Sequence, residues 1–310
     1  MKPCELPPKL TPGDRLWVML PSGTLRETES FEKGLEVWRS RGYRLDLSPT
    51  YDHRWGYLAG TDTERREALA AGLKNPDYQG ILCGRGGYGG ARLLEHWTWP
   101  EADAPPAHPS THPSTHPQKW LIGFSDVTSL LWGLACQGIS GVHGSVLTTI
   151  AEEPDWAIER LFGWLERHEA EPLAGQGWGN GTATGLLLPA NLTVATHLLH
   201  TALQPSLEGV ILALEDVGEA PYRLDRMLTQ WRMAGMLAQV KGIALGRFSQ
   251  CEAPEGVPSL TVAEVLRDRL NDLNIPIVSA LPFGHQGVNA ALPVGVMASL
   301  DGDRGILSIL

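Results

Sequence analysis

Residues 81–90 read ILCGRGGYGG, a short apolar run that passes directly into five glycines. An apolar run of this length that ends at glycines is typical of a buried strand leading into a tight turn. Gly84, Gly86 and Gly89 also have the G-x-G-x-x-G spacing of a dinucleotide-binding loop. Such a loop either cradles a phosphate or presents backbone N–H groups to another anion, and the rest of the chain must distinguish the two.

Apolar runs alternate with helical patterns on both sides of this loop, which predicts a mostly parallel sheet. The strands predicted in the first half are 15–20, 43–47, 80–83, 120–124 and 141–143. The helices predicted between them are 24–41, 61–74, 88–96, 126–136 and 155–168. Thr24 and Glu27, like Thr61 and Glu64, have the spacing of a capping box and therefore mark two helix starts.

The second half repeats the α/β alternation. Its predicted helices are 192–203, 225–236 and 262–270, and its strands are 209–214, 242–245 and 275–280, with a final hairpin that turns at 301–303. The glycine-rich passage 174–185 lacks helical periodicity and is expected to carry the crossover, as a linker or a hairpin. We therefore expect an N-terminal doubly wound domain, residues 1–170, and a C-terminal α/β domain, residues 185–310.

Composition excludes several classes of protein. The 310 residues are 43% hydrophobic and carry a net charge of −10, which provides for a large core and argues against nucleic-acid binding. No apolar stretch reaches the length of a signal peptide or a membrane span. The four cysteines are far apart and form no C-x-x-C pair, so we expect a cytoplasmic protein without membrane association.

The segment 101–118, EADAPPAHPSTHPSTHPQ, interrupts the pattern. His108, His112 and His116 lie four residues apart, which on a helix would form a metal-binding face. Each histidine is followed by proline, so a helix cannot form there. We interpret the segment as a solvated insertion and expect no metal site.

Ser125 lies in LIGFSDVTSLL, 121–131, where a strand meets a helix. A serine at such a turn stands at the carboxyl end of the strand, beside helix N–H groups that lack internal partners. The G-x-S-x-G pattern of a nucleophile elbow would need glycine where Val127 stands. Taken alone, Ser125 is therefore better explained as a helix cap than as a nucleophile.

Two further polar sites follow strands. Glu215 and Asp216 end an apolar strand, where they are either functional carboxylates, or helix-capping or ion-paired carboxylates with Arg223 and Arg226 nearby. His285 lies in a glycine-flanked loop, and a lone histidine there is more often a packed or surface residue. The chain order serine, acid, histidine nevertheless matches one arrangement of the hydrolytic triad.

Four blocks, in this order, resemble the LD-carboxypeptidase family of serine peptidases: GRGGYGGARLL, IGFSDVTSLL, LEDVGEAPYRLDRMLTQ and GHQGVNAALPVG. That family includes muramoyl-tetrapeptide carboxypeptidases and microcin-C immunity peptidases. The resemblance runs from PSG at 21–23 to the C-terminal segment. It implies an active site in the cleft between the two domains, no metal or other cofactor, and a homodimer.

The resemblance also assigns roles. Ser125 would be the nucleophile, His285 the base, and Glu215 the carboxylate that orients His285. The backbone N–H of Asp126, with one from Gly86 or Gly87, would form the oxyanion hole. The glycines of 81–90 would therefore bind an oxyanion, and the acidic residue that a dinucleotide site needs about 20 positions later falls in the insertion, as Glu101 or Asp103.

The expected substrate is a murein-derived tetrapeptide that loses its terminal D-alanine. Arg85 or Arg247 could anchor the free carboxylate, with Tyr88 beside them as a further substrate-binding candidate. The same triad acting on an aminoacyl-nucleotide peptide is the alternative, for which Trp178 could stack on the base. A non-catalytic protein that binds a cell-wall peptide or a nucleotide in this cleft is the third hypothesis.

One departure from the family pattern concerns the start of the second half. The family often has Gly-Gly-Asn there, and this chain has Pro189-Ala190-Asn191. The substitution could change the wall of the cleft on the substrate side.

Overall fold

The computed structural model describes residues 1–100 and 118–310, so the predictions for His108, His112 and His116 lie outside the described residues. The strands of this part are β1 Arg15–Met19, β2 Arg44–Leu47, β3 Tyr78–Cys83, β4 Trp120–Gly123, β5 Val142–His143, β6 Leu173–Ala174, β7 Gln176–Gly177, β8 Thr182–Asn191, β9 Ile211–Val217, β10 Gly242–Ser249, β11 Ile277–Ser279, β12 Leu292–Pro293, β13 Met297–Asp301 and β14 Ile306–Ile309. The helices are α1 Thr28–Ser40, α2 Asp62–Lys74, α3 Gly90–Leu93, α4 Thr128–Cys136, α5 Leu147–Ile150, α6 Asp155–Arg167, α7 Leu192–Leu198, α8 Pro221–Met233 and α9 Val262–Leu270.

The first sheet has the strand order β12-β5-β4-β3-β1-β2. Strands β1 to β5 are parallel, and β12 pairs antiparallel with β5. The order reverses beside β1, as expected for a doubly wound sheet with helices on both faces. The predicted α/β class is confirmed.

The second sheet has the order β6-β14-β13-β8-β9-β10-β11-β7. Its centre, β8 to β11, is parallel, while β13, β14, β6 and β7 extend the two edges antiparallel. The glycine-rich passage 174–185 thus supplies edge strands and the start of β8. Ligands of open parallel sheets bind beyond the carboxyl ends of the strands, which are where Cys83, Gly123 and Val217 lie.

A short late segment, 292–296, connects the two sheets. Leu292 and Pro293 add β12 to the first sheet, and the Val294 N–H donates to the Gly141 carbonyl. The Gly295 N–H then donates to Leu187, which lies in β8 of the second sheet. The two sheets are therefore joined by backbone hydrogen bonds as well as by side-chain packing.

Helix starts illustrate where capping patterns succeed and fail. α2 begins as predicted, because the Thr61 side chain accepts from the Glu64 N–H and the Glu64 carboxylate accepts from the Thr61 N–H. The predicted box at Thr24 is wrong, since α1 begins only at Thr28. The Thr24 N–H donates instead to the Tyr57 carbonyl, and its own carbonyl accepts from Arg85.

Two shorter elements also differ from the predictions. The helix expected over 88–96 is limited to Gly90–Leu93, because Gly89 at φ 121° sets its start and the chain turns again after Leu93. The helix expected over 192–203 ends at Leu198. No helix of the described residues is long and apolar enough to cross a membrane.

Candidate active site

Ser125 lies two residues after the end of β4. It begins a single 3₁₀ turn, Ser125–Val127, that leads into α4. Its φ of +64° places it in the left-handed region, which a residue with a Cβ adopts at a cost of about 1 kcal/mol or more. Such strain is concentrated at functional sites. The turn holds Ser125 at the edge of the sheet, immediately before α4.

The glycine loop lies directly against Ser125. A Cβ added to Gly86 would be 2.9 Å from the Ser125 Cβ and 3.0 Å from its Oγ, so no side chain fits there. Gly87 has φ +119°, and a Cβ added to it would be 3.2 Å from the Gly23 backbone. The glycines therefore permit the backbone of the loop to approach the serine, as an oxyanion hole built from N–H groups requires.

The side chain of Asp126 fixes this loop. It is buried, and its Oδ2 accepts from the Gly90 N–H at 2.6 Å. Burial raises the pKa of this carboxyl, while the hydrogen bond from the Gly90 N–H opposes that rise. Asp126 thus contributes its side chain to the loop and leaves its backbone N–H beside Ser125.

Glu215 and His285 form a hydrogen-bonded pair. The Glu215 carboxylate is fully buried at the end of β9, and its Oε2 lies 2.6 Å from His285 Nδ1. The same oxygen accepts from the His285 backbone N–H at 3.3 Å, and Oε1 accepts from Asn191 Nδ2 at 3.3 Å. This arrangement orients the imidazole so that its Nε2 is left for another partner.

Ser125 and His285 line the same cavity, of about 220 Å³. Its wall is formed by Glu27, Arg85, Gly86, Gly87, Phe124, Ser125, Val146, Thr148, Thr149 and His285. The Phe124 ring lies 4.6 Å from the His285 ring, between centroids, and closes one side. A hydroxyl and an imidazole therefore meet at one small cavity, and the buried Glu215 carboxylate is hydrogen-bonded to that imidazole.

Asp216, next to Glu215, has a different environment. Its carboxylate accepts from Asn191 Nδ2 and from both the N–H and the hydroxyl of Thr193. Asp216 therefore fixes the start of α7. The alternative pairing of these carboxylates with Arg223 and Arg226 is wrong, because Arg223 pairs with Glu219 and both arginines lie beside the Tyr222 ring.

The substrate-binding candidates lie in different places. Arg85 lines the cavity and donates to the Thr24 carbonyl at 3.0 Å, with Glu27 3.4 Å away. Tyr88 is exposed, with its ring 5.8 Å from that of Tyr57.

The other two candidates do not line the cavity. Arg247 lies under Gly287, whose added Cβ would meet its guanidinium at 2.7 Å. Trp178 follows β7, beside the start of β11, with Arg267 over its ring at 4.4 Å. The structure therefore brings Arg85 to Ser125 and places Trp178 elsewhere.

His143 is a polar residue near the site that the sequence did not single out. It is fully buried between the rings of Phe124 and Phe283, at centroid distances of 5.9 and 6.3 Å. Burial lowers its pKa to about 4, so the ring is neutral at pH 7. Its position at the end of the two-residue strand β5 was the available signal.

Glu153 and Asn289 also escaped notice, because neither lies at a predicted strand end. Asn289 N–H donates to Glu153 Oε2 at 2.9 Å, which joins the loop of His285 to the turn after α5. Among residues 1–100 and 118–310, no cluster of three or more histidine, cysteine or acidic side chains could hold a metal ion.

The residues of this site come from both halves of a two-sheet α/β fold, and each half matches a family of peptidases. Residues 17–144 match the LD-carboxypeptidase N-terminal domain, and residues 184–300 match the LD-carboxypeptidase C-terminal domain. The chain belongs to the LD-carboxypeptidase family.

Individual relatives support this family assignment. A protein of Synechocystis sp. that is named as a carboxypeptidase is 57% identical over 98% of this chain and 97% of its own. The murein tetrapeptide carboxypeptidase of Pseudomonas aeruginosa is 31% identical over 89% of this chain and 90% of its own. The solved structure of MccF in complex with glutamyl sulfamoyl guanosine has a TM-score of 0.83 over 98% of each chain at 20% identity, a likeness of fold.

Proposed function

We propose that the protein is a serine carboxypeptidase that hydrolyses the bond between an L-centre and a terminal D-alanine in murein-derived tetrapeptides. The observation that carries the proposal is the Glu215–His285 pair, joined at 2.6 Å, because its histidine lines the same cavity as a serine at φ +64°. The relative named a murein tetrapeptide carboxypeptidase supports the substrate class.

In the proposed mechanism, Ser125 Oγ attacks the scissile carbonyl while His285 Nε2 takes its proton. The carbonyl oxygen becomes an anion held by the N–H of Asp126 and one N–H of the Gly86-Gly87 loop. His285 then gives the proton to the departing amine of D-alanine, and an acyl-serine remains. Water, deprotonated by His285, hydrolyses the acyl-serine, and Glu215 stabilises the imidazolium in both steps.

We propose Arg85 as the anchor of the substrate's free carboxylate. It is the cation in the cavity wall, and its Glu27 partner is 44% exposed and 3.4 Å away, so a substrate carboxylate can compete for the guanidinium. Tyr88 follows the same loop and would border the bound peptide. Arg247 has the second role argued below.

The test is mass spectrometry of a murein tetrapeptide incubated with the wild type and with Ser125→Ala, both in the presence of a chelator. Loss of one alanine with the wild type alone is the expected result. Equal loss with both proteins would remove Ser125 from the mechanism.

Two further arms separate the alternatives. Cleavage of an aminoacyl-nucleotide amide in place of the tetrapeptide would assign the alternative substrate to the same triad. Binding of either ligand by a folded wild type that turns over neither would indicate a binding protein. From the family resemblance we also propose a cytoplasmic homodimer, which light scattering and cell fractionation test.

A further inference from the structure

His285 is carried by a loop that lacks regular structure and must still be held accurately. Gly284, at φ +111°, passes so close to Glu215 that an added Cβ would be 2.8 Å from the Glu215 Cβ. The carbonyl of His285 accepts from Ser249 Oγ at 2.6 Å. These contacts tie the loop to the second sheet, whereas its target, Ser125, follows β4 of the first.

Besides the Phe124 ring, a carboxylate reaches this loop from the side of Ser125. Glu153 follows α5, whose start contributes Thr148 and Thr149 to the cavity wall. Its Oε1 accepts from Ser145 Oγ at 2.7 Å, and its Oε2 accepts from the Asn289 N–H at 2.9 Å. Asn289 Oδ1 in turn accepts from the Gly284 N–H at 2.9 Å, next to His285. Glu153 is thus connected through Asn289 to Gly284, the residue before His285.

Arg247 completes the arrangement. Its guanidinium lies under Gly287 of the same loop, and its charge lowers the pKa of Glu153, opposing the rise that burial causes. The other charged group near Glu153 is Glu152, which raises that pKa. A carboxylate is therefore held half-buried at the junction of the two sheets, with a cation nearby and both oxygens used as acceptors.

We propose that Glu153 is a positioning residue that sets the distance between His285 and Ser125 by fastening the His285 loop to the first sheet. The inference rests on the proposed function for its chemistry, and on the hydrogen bonds alone for its geometry. Glu153 touches neither substrate nor reacting atoms. It acts through Asn289 and Gly284, with Arg247 as the counter-charge under the loop.

The experiment measures the rate at which a fluorophosphonate labels Ser125, since that reaction needs His285 but no peptide substrate. Glu153→Ala is expected to label about 100-fold more slowly, the effect of a displacement near 1 Å. Glu152→Ala, a change at the exposed neighbour, is the matched control and should label at the wild-type rate. Thermal denaturation of both variants establishes that they fold.

The pH profile of labelling shows whether the charge of Glu153, and not only the volume of its side chain, is needed to position His285. With the carboxylate intact, the labelling rate should fall at acid pH in part because Glu153 is protonated, since burial raises the pKa of its carboxyl. Glu153→Gln keeps the shape of the side chain and should lack this contribution to the pH profile. A profile of the Gln variant identical to that of the wild type would contradict the proposal.

Two results would overturn the inference irrespective of the peptidase activity. One is labelling of Glu153→Ala at the wild-type rate. The other is a crystal structure of Glu153→Ala in which residues 284–289 keep their place. If instead Ser125→Ala is labelled as fast as the wild type, the proposed triad fails, and the crystal structure alone decides the role of Glu153.

Discussion

At the scale of the residue, backbone conformation distinguishes Ser125 from an ordinary helix cap. The sequence around Ser125 lacks the glycine of a nucleophile elbow, so residue types alone favoured the cap. The positive φ of Ser125 and the Gly86 backbone packed against its Oγ arise from contacts between distant segments. No pattern local to 121–131 could have predicted them.

Replacing Ser125 with glycine should separate strain from chemistry. Glycine adopts φ +64° without the Cβ penalty, so Ser125→Gly should raise the free energy of unfolding by about 1 kcal/mol relative to Ser125→Ala. Both variants should lack hydrolysis. Urea unfolding of the two variants measures the difference, and equal stabilities would mean that the turn is unstrained.

Buried His143 should make the protein acid-sensitive. Above pH 6.5 the ring is neutral in both states, but between 6.5 and about 4 the unfolded state binds a proton that the folded state does not. The free energy of unfolding should therefore decrease as the pH is lowered from 6.5 to about 4, and His143 should account for about 3 kcal/mol of the decrease.

The variant His143→Leu isolates that contribution. Its free energy of unfolding should decline less than that of the wild type between pH 7 and pH 4, as urea titrations at several pH values would measure. If the two proteins lose stability in parallel, the titration of His143 does not contribute.

At the scale of the element, the glycine loop was predictable as a strand-to-turn junction but not as the partner of Ser125. The strand β3 and the capping box of α2 follow from local patterns and were placed correctly. The helix after the loop was predicted too long. The hydrophobic periodicity of the sequence does not show that the chain turns at Gly89 and again after Leu93. Tertiary contact between the loop and Asp126 determined the outcome.

Adding one methyl group to the loop should stop catalysis without unfolding the protein. Gly86→Ala places a Cβ 2.9 Å from the Ser125 Cβ, so the serine must shift, and we expect kcat to fall by about 100-fold or more. Gly144→Ala is the matched control, since its nearest contact would be an ordinary 3.4 Å. Steady-state kinetics with melting temperatures tests this, and an active Gly86→Ala would contradict the close approach.

At the scale of the whole molecule, the sequence predicted two α/β halves but not how they are joined. The pairing of β12 with β5 joins residues that are distant in the chain through a two-residue strand, a signal too short for any periodicity. The positions of Ser125, Glu215 and His285 were found by resemblance and by their common place after strands. The contacts of Glu153 and His143 depend on how the halves meet, so they could not be read in advance.

The segment 292–296, which is hydrogen-bonded to both sheets, predicts cooperative unfolding. Because 292–296 bonds to both sheets, the halves should unfold in one transition, with calorimetric and van't Hoff enthalpies that agree. Truncating the buried ring in Phe162→Ala, in the first half, should lower the whole transition. Two separate transitions in calorimetry would show that the hydrogen bonds of 292–296 are too weak to couple the unfolding of the two halves.

The late position of the segment 292–296 in the chain also determines the order in which the site is assembled during synthesis. A ribosome delivers Ser125 long before it delivers His285 and the segment that completes the first sheet. A nascent chain therefore carries Ser125 before His285 exists, on a sheet that still lacks β12. Under the proposed mechanism, hydrolysis needs both residues and cannot begin until synthesis has passed His285.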